Sequence, residues 1–230
     1  MVATFIFVCH KNPIMKPILV FSFAVLLFAA CSNNNNADTA KLFCDTTCNN
    51  DSFLFKSDAP LHPFVSISVN NCIPDTLTWG HDKLDNDRKM HISTLLDKTV
   101  RINKSAINCY IKDTSNAWLS FNDCITGRGY LLKLPFNKAN DISKYSGAIN
   151  SFDKKFVLPD DMRAYADYST IYVVDVNTGK TEQMTFKEEL NFSFDNIHKA
   201  IDSVNVSHSR IYVLLNKDGQ KVPLEKNISL

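Results

Sequence analysis

Ile171-Tyr172-Val173-Val174-Asp175-Val176-Asn177-Thr178-Gly179-Lys180-Thr181 is an apolar, β-branched run that stops at a glycine turn and resumes on the far side. Valine, isoleucine and tyrosine suit a pleated, half-buried surface, and Gly179 supplies the positive φ that a tight hairpin turn commonly needs. The stretch therefore predicts a hairpin over residues 171–186. A second hairpin is predicted over 211–228, where Ile211-Tyr212-Val213-Leu214-Leu215 precedes Asn216-Lys217-Asp218-Gly219. Three segments share an opening: Ser115-Asn116-Ala117-Trp118-Leu119, Ser169-Thr170-Ile171-Tyr172-Val173 and Ser209-Arg210-Ile211-Tyr212-Val213.

Alternation of apolar and polar residues extends the β reading outward to Phe64–Val69, and to shorter runs at Val100–Ile102, Ala117–Phe121 and Tyr130–Leu134. Two complete meanders can be drawn. One joins 100–103, 107–111, 117–121 and 130–134; the other joins 155–158, 163–166, 171–176 and 182–186. The predicted fold class is mainly β, built of antiparallel meanders and hairpins with one or two short helices. The stretch from Ala164 to Lys180 resembles a blade of bacterial β-propellers, and a unit recurring every 40–45 residues or so is the size of a four-stranded blade. An antiparallel sandwich accounts for the same hairpins and stays open as the alternative. One helix is expected behind Asp195, with Ile197, Ala200, Ile201 and Val204 on one face, and another near Ile92–Leu96.

The first thirty residues have a different character. Their only charges are Lys11 and Lys16, and the apolar block Ile18–Ala30 follows Met15-Lys16 and ends in small residues. A positive residue, a short apolar core and a small-residue boundary make a secretory signal, too short for a comfortable membrane span. Met15 is an alternative translation start. Leu27-Phe28-Ala29-Ala30-Cys31 resembles the lipobox of bacterial lipoproteins, with Phe28 where leucine is commonest. That resemblance implies cleavage before Cys31, a diacylglycerol thioether and an amide-linked chain on Cys31, and stable membrane anchoring. The polar run Ser32-Asn33-Asn34-Asn35-Asn36 that follows reads as a tether. The expected organisation is a signal over 1–30, a lipidated tether over 31–42 and one β-rich domain over 43–230, placed in the bacterial cell envelope.

The whole chain carries 25 basic and 24 acidic residues. Without the two signal lysines the balance is 23 to 24, so no basic face is expected and nucleic acid is a poor partner. Five cysteines remain in the mature part: Cys44, Cys48, Cys72, Cys109 and Cys124. An exported chain meets an oxidising compartment, so two disulfides and one leftover thiol are expected, with connectivity open. Cys44 and Cys48 could also bridge locally or hold a metal.

No nucleophile elbow, zinc-helix motif, phosphate loop or dinucleotide fingerprint occurs, and no catalytic, cofactor or metal residue is assigned. The acidic cluster from His81 through Asp82, Asp85 and Asp87 to His91 lacks the glycine and closing glutamate of a calcium loop and reads as solvated loop. His62, His198 and His208 are scattered, none with an adjoining carboxylate or cysteine that suggests a triad. Asp160 and Asp161 are adjacent and expected to point apart. Trp79, Trp118, Tyr130, Tyr172 and Tyr212 suit either a sugar platform or ordinary packing. The leading expectation is a membrane-anchored, non-enzymatic β module that binds an envelope protein or glycan or serves a structural role. An exported hydrolase acting on envelope or extracellular polymers comes second, and a sensor using the cysteines third.

Overall fold

The computed structural model describes residues 42–186 and 200–230. Among these, sixteen strands form four sheets of four strands each. Sheet I consists of β1 (Phe53–Lys56), β2 (Phe64–Asn70), β3 (Ile73–Gly80) and β4 (Arg88–His91). A short helix, α1 (Ile92–Leu96), and a 3-10 turn (Lys104–Ala106) lead to sheet II. Sheet II contains β5 (Ile107–Ile111), β6 (Asn116–Asn122), β7 (Gly129–Pro135) and β8 (Ser143–Tyr145). Sheet III takes β9 (Ala148–Ile149), β11 (Met162–Asp167), β12 (Thr170–Asp175) and β13 (Thr181–Thr185). Sheet IV takes β10 (Phe156–Val157), β14 (Ile201–Ser207), β15 (Arg210–Lys217) and β16 (Gln220–Asn227). Pairing is antiparallel throughout, except for the two-residue parallel contact of β10 with β14.

The molecule is therefore mainly β, as its alternating sequence requires. Both predicted hairpins form, as β12–β13 and β15–β16. The meander predicted over 100–134 is shifted by one element: Val100 and Ile102 are buried in irregular chain, and β8 supplies the fourth strand. The segment over 155–158 pairs with sheet IV instead of sheet III, because the chain crosses over to lay β10 beside β14. The helix expected behind Asp195 falls largely on residues outside the described ones. Ile201 and Val204, assigned to its apolar face, belong to β14, where a register shift between Ile201 and Ser203 lets both be buried three positions apart.

Burial fixes how the sheets stack. One core cluster joins sheets I and II through Ile67, Leu77, Trp79, Leu119, Leu132 and Phe136. A smaller one joins II and III through Trp118, Leu131, Ala148 and Val174. A third joins III and IV through Val173, Met184, Val204, Ile211 and Val213. Sheet II is thus covered on both faces, which is why β6 and β7 are buried at nearly every position instead of every second one. Sheets I and IV are covered on one face, and β15 alternates accordingly. Four layers result, where a sandwich has two.

A local device recurs at the hairpins. In the β6–β7 turn the Asp123 carboxylate accepts the Thr126 hydroxyl at 2.6 Å, and Gly127 N–H donates to the Asp123 carbonyl at 2.7 Å. In the β12–β13 turn the Asp175 carboxylate accepts the Thr178 hydroxyl at 2.7 Å, and Gly179 N–H donates to the Asp175 carbonyl at 2.8 Å. Both glycines have positive φ, 72° and 75°. The same Asp-x-x-Thr-Gly sequence followed by a basic residue, Arg128 or Lys180, builds both turns.

Two disulfides fasten the N-terminal half: Cys44 to Cys124 and Cys48 to Cys72. Their presence fits an oxidising, exported environment. Cys44 and Cys48 do not bridge each other, and the two bonds withdraw both from metal binding. Cys109 is a free thiol packed against the core between sheets I and II. No helix among the described residues is long and apolar enough to cross a membrane.

Candidate ligand site at the seam of sheets II and III

The seam between sheets II and III is held by three contacts of different kinds. Gly129 on β7 has no side chain, and a Cβ there would fall on the Ala148 carbonyl of β9, so glycine permits the close approach of the two backbones. The buried Asn150 amide nitrogen donates to the Phe121 carbonyl at 3.0 Å and the Asn122 side-chain oxygen at 2.7 Å, tying the loop after β9 to sheet II. At β8, the Tyr145 ring stacks on Tyr165 at 4.1 Å, and Tyr165 stacks on its cross-strand neighbour Tyr172 at 5.0 Å. Burial, reinforced by the two flanking phenols, pushes the Tyr165 hydroxyl up to about 12.

A cavity of about 240 Å³ opens on this seam. Sheet II gives Tyr110, Lys112, Trp118 and Lys133 to its walls, and the β12–β13 turn gives Asn177 and Thr178. The walls are tied together: the Tyr110 hydroxyl donates to the Asn177 side-chain oxygen at 2.8 Å, and the Lys112 ammonium reaches the Asn177 carbonyl at 3.5 Å. The Lys133 ammonium stands over the Trp118 ring, 5.4 Å from its centroid. Behind Tyr110 lies Arg163, only 9% exposed, with its guanidinium 5.4 Å from the centre of the Tyr110 ring. Arg163 Nη1 donates to the Asp160 and Met162 carbonyls, while its Nε has no partner among the described residues. Burial lowers the Arg163 pKa, opposed by nearby Cys109, Asp160, Tyr110 and Asp161.

Polar contacts continue from this cavity to the β14–β15 turn. The Asn177 side-chain nitrogen donates to the Asp161 carboxylate at 3.4 Å, and the same carboxylate oxygen meets His208 Nε2 at 3.2 Å. Sheets II, III and IV thus share one network along a single edge.

Several residues read one by one in the sequence gain partners in the fold. His62 pairs with Asp82 at 2.7 Å, and His208 with Asp161, so two histidines without a sequence neighbour do have a carboxylate in space. His91 meets Asp75 at 3.3 Å. His198 lies outside the described residues. Of the adjacent pair Asp160 and Asp161, the Asp160 backbone carbonyl accepts from Arg163 and the Asp161 carboxylate meets His208. Arg88, in the segment read as loop, stands in β4 and covers Trp79, donating from Nη1 to the carbonyls of Pro135, Asn137 and Asn140.

The aromatic set divides. Trp79 and Tyr130 are each 1% exposed and belong to the core, and Tyr212 lies on the open face of sheet IV under Arg210. Trp118 packs in the cluster between sheets II and III under Lys133, and Tyr172 stacks on Tyr165, so a face of each is already engaged. Sequence reasoning missed Tyr110, Lys112, Lys133 and Asn150. Their only sequence signal is placement beside the repeated hairpins. The Cys109 thiol is pushed up to about 12 by burial, so it is protonated and a poor nucleophile at neutral pH.

Comparison of the chain with protein-family models, with curated proteins and with solved structures gives no match in any of the three.

Proposed function

We propose that this chain is an envelope lipoprotein: exported, cleaved before Cys31, anchored by lipid on that residue, and carrying a β domain that binds rather than catalyses. The observation that carries the binding reading is the seam cavity. Its walls come from two sheets and are locked to each other through Tyr110 and Asn177. Neither histidine nor cysteine lines it, and its titratable side chains are Tyr110, Lys112, Asp113 and Lys133, a set suited to holding a ligand. An envelope protein or a glycan is the partner class. The four four-stranded sheets, sharing core clusters one with the next, support reading them as an arc of propeller-like blades.

The anchor reading draws support from the lipobox-like Leu27–Cys31 and from the two disulfides. Cys44 is thirteen residues beyond Cys31, so a fully extended linker would let the domain stand at most about 45 Å from its lipid. Replacing Cys31 by serine is expected to abolish metabolic labelling with a fatty acid and release the protein from membranes. A Cys31→Ser protein that still labels and still sediments with membranes would defeat the anchor. For the domain, retention of envelope material on the immobilised protein, lost when the seam is altered, is the expected result.

A hydrolase is the second reading, favoured by the His208–Asp161 pair beside the seam. Among the described residues no nucleophile is hydrogen-bonded to His208, since the Ser207 and Ser209 hydroxyls face each other at 3.4 Å. Activity on envelope polymers that vanishes in His208→Ala would reverse the order of the two readings.

A further inference from the structure

We propose that the cavity between sheets II and III is a binding site for one small anionic sugar, a ring bearing a single carboxylate or phosphate. This rests on the binding reading of the domain and deepens it.

Charge is the first reason. Lys112 and Lys133 both line the cavity, and neither meets a carboxylate within salt-bridge distance among the described residues. Arg163 stands behind Tyr110, outside the lining, and the nearby Asp160 and Asp161 carboxylates act on its charge. Asp113 is the one acidic side chain in the walls, and its carboxylate already accepts the Ser115 N–H at 2.7 Å. Two lysines against one aspartate leave the cavity walls net positive, a charge that an anionic ligand relieves.

Size and polarity give the second reason. About 240 Å³ exceeds the space of a few waters, yet lies below the range that takes drug-sized ligands. One sugar ring fits that interval and a polymer does not. The Ser115 hydroxyl and Asn116 amide line the space and make no side-chain hydrogen bond among the described residues, so both are available to ring hydroxyls. Lys112 and Lys133 approach from different strands, β5's end and β7, so an acid group bound between them has a defined direction. Tyr110 is a positioning residue: its ring separates Arg163 from the cavity and its hydroxyl fixes Asn177.

The test is calorimetric titration of the purified full-length protein with glucuronate, glucose 6-phosphate and glucose. Saturable binding of either acid is expected, with glucose at least about tenfold weaker, equivalent to about 1.4 kcal/mol. Binding of glucuronate alone assigns the site to sugar acids, and of glucose 6-phosphate alone to sugar phosphates. Affinity should fall as salt rises from about 0.1 to about 1 M, where the screening length shrinks to a few ångströms. The Lys112→Gln/Lys133→Gln protein should lose at least about tenfold in affinity while keeping its thermal midpoint. Should that pair unfold, the exposed single variant Lys112→Gln and the salt series carry the same test. Glucose binding as tightly as the acids, silence from all three probes, or unchanged affinity in a folded variant each overturns the assignment. If all three probes fail while envelope material is still retained, the site falls and the binding role of the domain stands. Failure of both removes both.

Discussion

Asn150 shows how much a single buried polar group decides. Its amide nitrogen faces the Phe121 and Tyr130 carbonyls and the Asn122 side-chain oxygen, three acceptors converging from sheet II. Only a donor satisfies that arrangement. Asn150→Ala leaves those acceptors short of a donor, at a cost of about 1–3 kcal/mol. Asn150→Asp has nearly the same shape but turns a carboxylate toward oxygens, so it should destabilise more than alanine does. Urea unfolding of the two variants checks the order, and an aspartate variant as stable as wild type would remove Asn150 from this role. Nothing in the sequence marks Asn150, because asparagine in a loop after a short apolar run is ordinary. What makes it matter is three acceptors brought together from residues 20 to 29 positions away. Lys112, Lys133 and Arg163 were illegible for the same reason: a charge gains meaning only once its missing partner is known.

Elements were more legible than residues, and unevenly so. The hairpins β12–β13 and β15–β16 could be read because apolar runs and a positive-φ glycine are local signals. The short strands β8, β9 and β10 could not, since two or three residues carry no period. Their places are set by neighbouring sheets, and β10 goes to a sheet whose other strands begin more than forty residues later. Disulfides sit between these cases: the expectation of two bridges and one thiol came from counting, while the pairing needed the fold. The bridge from Cys44 to Cys124 spans 80 positions and that from Cys48 to Cys72 spans 24. Loop-closure entropy then predicts upper contributions of about 4.5 and about 3.5 kcal/mol. The double replacement Cys44→Ala/Cys124→Ala should therefore lower the unfolding midpoint more than Cys48→Ala/Cys72→Ala. It also frees the segment around Phe43, whose backbone N–H donates to the Cys124 carbonyl at 2.9 Å. The reverse order of midpoints would show that the longer loop keeps residual structure when unfolded, and that chain entropy is not the dominant contribution.

At the scale of the whole molecule, layer order makes a demand that local sequence cannot express. Leu131 and Leu132 are adjacent on β7 and both fully buried, yet they point to opposite faces, Leu131 into the seam with sheet III and Leu132 into the core with sheet I. In a sheet with one solvated face, one of two neighbours would be exposed. Here each truncation removes packing on its own side. Leu131→Ala and Leu132→Ala should each cost about 2–5 kcal/mol, while Thr78→Ala, on the open face of sheet I, should stay within about 0.5 kcal/mol. The two leucine variants should differ in a second respect. Leu131→Ala loosens the smaller cluster beside Trp118 and so disturbs the seam cavity, whereas Leu132→Ala leaves the cavity walls in place. Equilibrium unfolding separates the energetic claims, and fluorescence of Trp118 in a Trp79→Phe background reports the seam. If either leucine proved as tolerant as Thr78, sheet II would have a free face and the stacking of I on II on III would be wrong.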